Sequence, residues 1–176
     1  VKSLSRMPAT AFPPIRRAPG APFRVIADLL SDAAALAADG SLAARHVAAF
    51  RSAGTRAFIA NAACEVMLLR AGDLRLPVTV DDGIRGHSYV SSPHSAYVLY
   101  ARDEIALMGL GRLRFAAEGV LGMLAAGLRI ARLNRAVHLD NWLLSTNLHG
   151  DWDGRDLPSM RAHLVQRFPD HALIIR

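Results

Sequence analysis

Apolar side chains at Phe23, Ile26, Ala27, Leu30, Ala34 and Ala37 recur near every third or fourth place, which predicts a helix over residues 23–38. Asp39-Gly40 stops it, and Ser41 stands as the cap of a second helix over 42–52, so the pair predicts a helical hairpin. The pattern then changes. Residues 62–69 are apolar apart from Glu65, and 74–80 are mostly apolar around Pro77, with the turn residues Gly72-Asp73 between them, which predicts two strands, the second at an edge or a bulge. Two short extended pieces, 87–91 and 96–100, flank Ser92-Pro93 and complete a predicted antiparallel meander. The longest helical pattern covers 102–134. Acidic residues stand at its start and arginines at its end, as the helix dipole favours, and Gly109 and Gly111 are candidate break points. Its half from Ala116 to Leu128 carries one charge, Glu118, and is expected to be buried on most sides, with Gly119, Gly122 and Gly127 allowing close approach to a sheet. A short apolar strand, Ala136 to Leu139, follows, then a polar stretch, a helix over 156–168 with Asp156 as cap and Pro158 in its first turn, and a last strand over 171–175.

These elements predict a single α/β (α+β) domain over 23–176: a mixed sheet with an antiparallel meander, flanked by helices. Residues 1–22 hold five of the nine prolines and are expected to be a flexible lead-in. An ending directly on an apolar strand leads us to expect one lobe of a longer protein, or self-association through an open strand edge. The longest uninterrupted apolar run, 120–128, is far below the ~20 residues of a membrane-spanning helix. No convincing secretory signal is present, and the single cysteine, Cys64, forbids an internal disulfide, so a reducing, cytoplasmic setting is expected. The net charge of +6 comes almost wholly from arginine, in no run longer than Arg16-Arg17, which argues against specific nucleic-acid binding.

Candidate chemistry is densest between 136 and 154, where both tryptophans, Trp142 and Trp152, also lie. His138 and Asp140 alternate with Val137 and Leu139 and so are expected on one sheet face, as a base with its orienting partner or as a structural pair. Asn141, Ser145, Thr146 and Asn147 suit fixing a substrate and equally suit capping a turn. Ser92 and Tyr97 are candidates for the wall of the same pocket. The stretch HGDWDG (149–154) lacks the further acidic residues of an oxygen-rich cation loop, so no metal is expected. No G-x-S-x-G elbow accompanies Ser91, Ser92 and His94, which disfavours a hydrolase triad. Cys64, inside an apolar run, reads as an inert buried thiol.

The stretches SYVSSPHSAYVLYARDEI (88–105), VHLDNWLLSTNL (137–148) and RFPDHALIIR (167–176) resemble bacterial GNAT-like acyltransferases of the two-lobed FemAB style. The order of elements also looks like the GNAT fold without its first and last strands. The resemblance implies transfer of an acyl group from an acyl-CoA or acyl-tRNA co-substrate to an amine, with no tightly bound cofactor. It implies that backbone amides at a splayed strand and a helix start hold the donor's pyrophosphate, and that a histidine or carboxylate takes the amine proton. The nearest match to the family's pyrophosphate loop, ALMGLG (106–111), has alanine where the family has glutamine or arginine. A non-catalytic lobe that binds a partner protein or an anionic ligand is the alternative.

Overall fold

The structure is a computed structural model that describes residues 27–83, 88–144, 148 and 152–175. Five strands form one mixed sheet in the order β1-β2-β3-β4-β5. They are β1 (Ala27–Leu30), β2 (Glu65–Ala71), β3 (Leu74–Asp81), β4 (Ala136–Leu139) and β5 (Ala172–Ile175). Neighbours run antiparallel from β1 through β4, and β4 and β5 are parallel. Helices α1 (Ala33–Asp39), α2 (Leu42–Ala53) and α3 (Thr55–Phe58) lie between β1 and β2. Helices α4 (Tyr100–Leu107) and α5 (Leu113–Ile130) lie between β3 and β4, and α6 (Leu157–Arg167) joins the parallel pair. The expected α+β class, a mixed sheet flanked by helices, is what the molecule has.

Two cores follow from strand alternation. Val66, Leu68 and Cys64 meet Leu36, Val47 and Phe50 of the α1–α2 hairpin, together with Val90 and Trp142. On the other face Leu69, Leu76, Val78, Val80, Val137 and Leu139 meet Met160 and Leu164 of α6. Arg75 of β3 pairs with the buried Asp39 carboxylate at the end of α1, tying the hairpin to the sheet.

Several expectations are corrected. The helix predicted over 23–38 is shorter, because Ala27–Leu30 pairs with Leu68–Ala71 as an edge strand. The helix starts only after Asp32, whose carboxylate accepts the Ala35 amide at 2.8 Å. Strand β2 begins three residues later than expected, at Glu65. Pro77 lies in an inner strand, not at an edge. It falls one place beyond the β3–β4 ladder, which ends at Val78–Leu139, and its carbonyl accepts the Asn141 amide. The extended piece at 96–100 is a π-helical turn, Ser95–Leu99, running into α4. Of the piece at 87–91, His87 lies outside the described residues and 89–91 form a turn. The long helix is broken at 108–112, where Gly109 and Gly111 take positive φ as the glycine positions suggested. Asp156 precedes α6, but its backbone is helical and its side chain makes no capping bond.

The burial expected of α5 is also overturned. Only Leu121, Ala125 and Leu128 are buried along it, while Phe115, Met123 and Ile130 are exposed. A Cβ built at Gly119, Gly122 or Gly127 meets nothing within 4 Å, so these glycines do not face the sheet. Among the described residues no helix is long and apolar enough to cross a membrane.

Candidate functional site

A buried polar layer occupies the α1–α2 side of the inner strands. Thr79 and Asp81 alternate on β3, and His138 on β4 sits directly opposite Thr79. Ser88, Ser91, Ser92 and Ser95 come from the segment that follows β3, and all are buried with Thr79, Asp81, His138, Asp140 and Asn141. Burying so many polar groups requires partners for them. The Ser91 hydroxyl donates to the Asp81 carboxylate at 3.2 Å, and the Gly83 amide donates to its other oxygen at 2.7 Å. Burial pushes the Asp81 carboxyl above its usual range, and these two bonds pull partly against that.

The end of β4 is where the sequence placed its candidates. Alternation stops at Leu139, because Asp140 takes a left-handed turn at φ 59°. The expectation that His138 and Asp140 share a face through a continuing strand is therefore corrected: backbone geometry, not strand period, aims Asp140. Its carboxylate accepts the Trp142 indole N–H at 2.9 Å. Asn141 closes the layer. Its Nδ2 donates to the Thr79 hydroxyl and to the Val90 carbonyl, both at 2.8 Å, and its Oδ1 accepts the Leu143 amide at 3.0 Å. The Ser92 hydroxyl accepts the Ser95 amide at 3.3 Å, which starts the π-helical turn. Tyr97 is 64% exposed on that turn. Ser145, Thr146 and Asn147 lie outside the described residues, as do His149 and Asp151.

Trp142 packs inward with His46, ring centroids 5.1 Å apart. Burial holds the His46 imidazole below its ordinary range, against a smaller opposing effect of the Trp142 backbone. Trp152 packs against the α6 core. Among the described residues no group of histidine, cysteine and acidic side chains is arranged to hold a metal ion.

An open cleft of 510 Å³ lies at the opposite end of the sheet, lined by Thr55, Arg56, Cys64, Glu65 and Asp82 among others. Beside it His171, just before β5, contacts Asp82 at 3.2 Å. Burial and the nearby Asp81 charge push the Cys64 thiol up to about 11, so it is a poor nucleophile at neutral pH. Cys64 is therefore expected to react with a disulfide reagent at pH 8 at least about a hundredfold more slowly in the native protein than in denaturant. Native labelling at the denatured rate would show a thiol that is neither shielded nor held neutral.

A second cleft, 400 Å³, is lined by Asn61, Tyr89, Ser95, Leu99, Tyr100 and Asp103. Neither cleft is lined by His138, Asp140 or Asn141. Asp81, Ser95 and Asp103 escaped the sequence reading. Asp81 precedes Asp82-Gly83 and so carries only the signature of a turn, Asp103 only that of a helix start, and the one signal for Ser95 is the serine-rich run around Pro93.

Comparison with protein-family models, with curated proteins and with solved structures found no match for this chain.

Proposed function

We propose that this chain is a GNAT-like lobe of a bacterial N-acyltransferase, passing an acyl group from an acyl-CoA or acyl-tRNA donor to an amine. One observation carries the reading. After an antiparallel run, β4 and β5 form a parallel pair bridged by α6, and Asp140 and Asn141 stand at the carboxyl end of β4. In open α/β sheets ligands bind beyond the carboxyl ends of parallel strands. On this reading the helix start that would face a donor pyrophosphate is Leu157 of α6. The ALMGLG match is set aside, because it spans the end of α4 and the turn after it, whose residues are mostly exposed. His138, buried on the face of β4 opposite α6, is the group proposed to accept the amine proton, through water that reaches it past the end of β4.

A second reading, a non-catalytic lobe of the same architecture, is favoured by the charge around α6. Asp153 and Asp156 stand just before it, and Arg155 is already bound to the Asp153 carboxylate through Nε and Nη2. That arrangement weakens the case for a phosphate there. Thermal unfolding with coenzyme A and acetyl-CoA separates the two. Acetyl-CoA at a hundredfold excess over its Kd should raise Tm by about 5 °C if this lobe binds the donor. His138→Ala should then keep that shift and lose turnover. No shift at millimolar ligand removes donor binding from this lobe and leaves the second reading.

A further inference from the structure

The cleft at Tyr89 and Tyr100 is built from three separate pieces of chain. Asn61 comes from the connection before β2, Tyr89 from the turn after β3, and Ser95, Leu99, Tyr100 and Asp103 from the π-helical turn and α4. The π-helical turn sets its wall. The Tyr100 amide bonds to the Ser95 carbonyl five residues back, so Ser95, Leu99 and Tyr100 line one hollow. That hollow continues into a second, 360 Å³, which shares both tyrosines and adds Ala96.

The lining has one chemical character. The two rings are 6.2 Å apart and tilted by 51°, and both residues are more than half exposed. Asp103 adds a carboxylate that makes no ion pair among the described residues. The nearby Glu104 carboxylate holds the Tyr100 phenol above its ordinary range. Among the described residues no basic side chain lines either hollow. Ser95 is 2% exposed, and its hydroxyl has no hydrogen-bond partner among the described residues. An anion would meet Asp103 and the electron-rich ring faces. A purely apolar molecule would leave the Asp103 carboxylate and the Ser95 hydroxyl unmet. An ammonium group satisfies the rings and the carboxylate together.

We propose that this cleft binds a small organic ammonium compound, held between the faces of Tyr89 and Tyr100 and against the Asp103 carboxylate, with the Ser95 hydroxyl at the inner wall available to a polar group on the ligand. The assignment does not depend on acyl transfer. An amine acceptor has the same chemistry, and the test runs without an acyl donor, so the two stand or fall separately.

Calorimetric titration compares choline with 3,3-dimethylbutan-1-ol, its uncharged isostere. Choline binds the unmodified protein, and the isostere binds at least about tenfold more weakly. Tyr100→Leu and Asp103→Asn each weaken choline about five- to tenfold, while Tyr100→Phe stays within about twofold because the ring face is kept. Ser95→Ala weakens choline about threefold and leaves tetramethylammonium, which has no hydroxyl, unchanged. Circular dichroism confirms that each variant is folded. Equal affinity for choline and its isostere, or no binding of choline up to about 10 mM, overturns the proposal on the unmodified protein alone. Unchanged affinity in folded Tyr100→Leu and Asp103→Asn places the cation elsewhere and overturns it as well.

Discussion

Asn141→Ala is expected to lower the unfolding free energy by about 3 to 5 kcal/mol, among the larger effects of any single substitution. The side chain is fully buried. Its removal strands the Thr79 hydroxyl, the Val90 carbonyl and the Leu143 amide at once. Each such group left unsatisfied costs about 1 to 3 kcal/mol, and the three do not add fully because they share one site. The same residue holds together three parts of the chain: β3 through Thr79, the segment after β3 through Val90, and the exit of β4 through Leu143. Asn141→Asp also loses stability, since it puts a carboxylate oxygen where the amide nitrogen donates to the Val90 carbonyl. Equilibrium unfolding in urea measures the loss. A cycle with Thr79→Val, which removes the hydroxyl at nearly constant volume, should give a coupling of about 1 kcal/mol or more. The result also bears on function. A residue that only fixed a substrate could be truncated with stability intact; an Asn141→Ala protein that unfolds at the parent's urea concentration would return Asn141 to the pocket.

The sequence disclosed part of this buried polar layer but not its closure. His138, Asp140 and Asn141 stand out as polar residues at the end of an apolar strand, and β4 falls where its apolar, β-branched run predicts. What pattern cannot disclose is that Val90, 51 residues away, offers a backbone carbonyl to Asn141. A main-chain group has no signature in side-chain periodicity. The same physics explains β1. Ala27, Leu30 and Ala34 carry a helical spacing, yet residues 27–30 extend because β2 supplies a ladder some 40 positions on, and a non-local ladder outweighs a weak local preference. The π-helical turn failed for a different reason: five residues are too few to separate a period of two from one near four. For α5, apolar composition shows which surface favours burial, not what covers it. Phe115, Met123 and Ile130 are exposed among the described residues. Where turn chemistry is unambiguous the reading held, at Gly72-Asp73 between β2 and β3 and at the glycines that break α4 from α5.

The backbone contact that steers the chain back into β4 makes the second large prediction. Gly83→Ala is expected to cost about 3 to 5 kcal/mol. Gly83 follows β3 at φ 70°, a region that an L side chain adopts only with strain. A Cβ there would lie 2.2 Å from the Asn134 carbonyl oxygen and 2.8 Å from its carbon, so main chain, not a flexible side chain, must give way. Asn134 lies between α5 and β4, and the Gly83 amide is held by the buried Asp81 carboxylate. Relief by moving either side disturbs the start of β4 or the bonds of Asp81. Gly109→Ala supplies the control. Its φ is 62°, but a Cβ there meets nothing within 4 Å, so it should carry only the conformational penalty of about 1 kcal/mol. Subtracting the two losses, both read from urea unfolding, isolates the contact between residues 83 and 134. Equal losses would mean that the connection from α5 into β4 yields freely, and that β4 is held in place by its ladders with β3 and β5 alone.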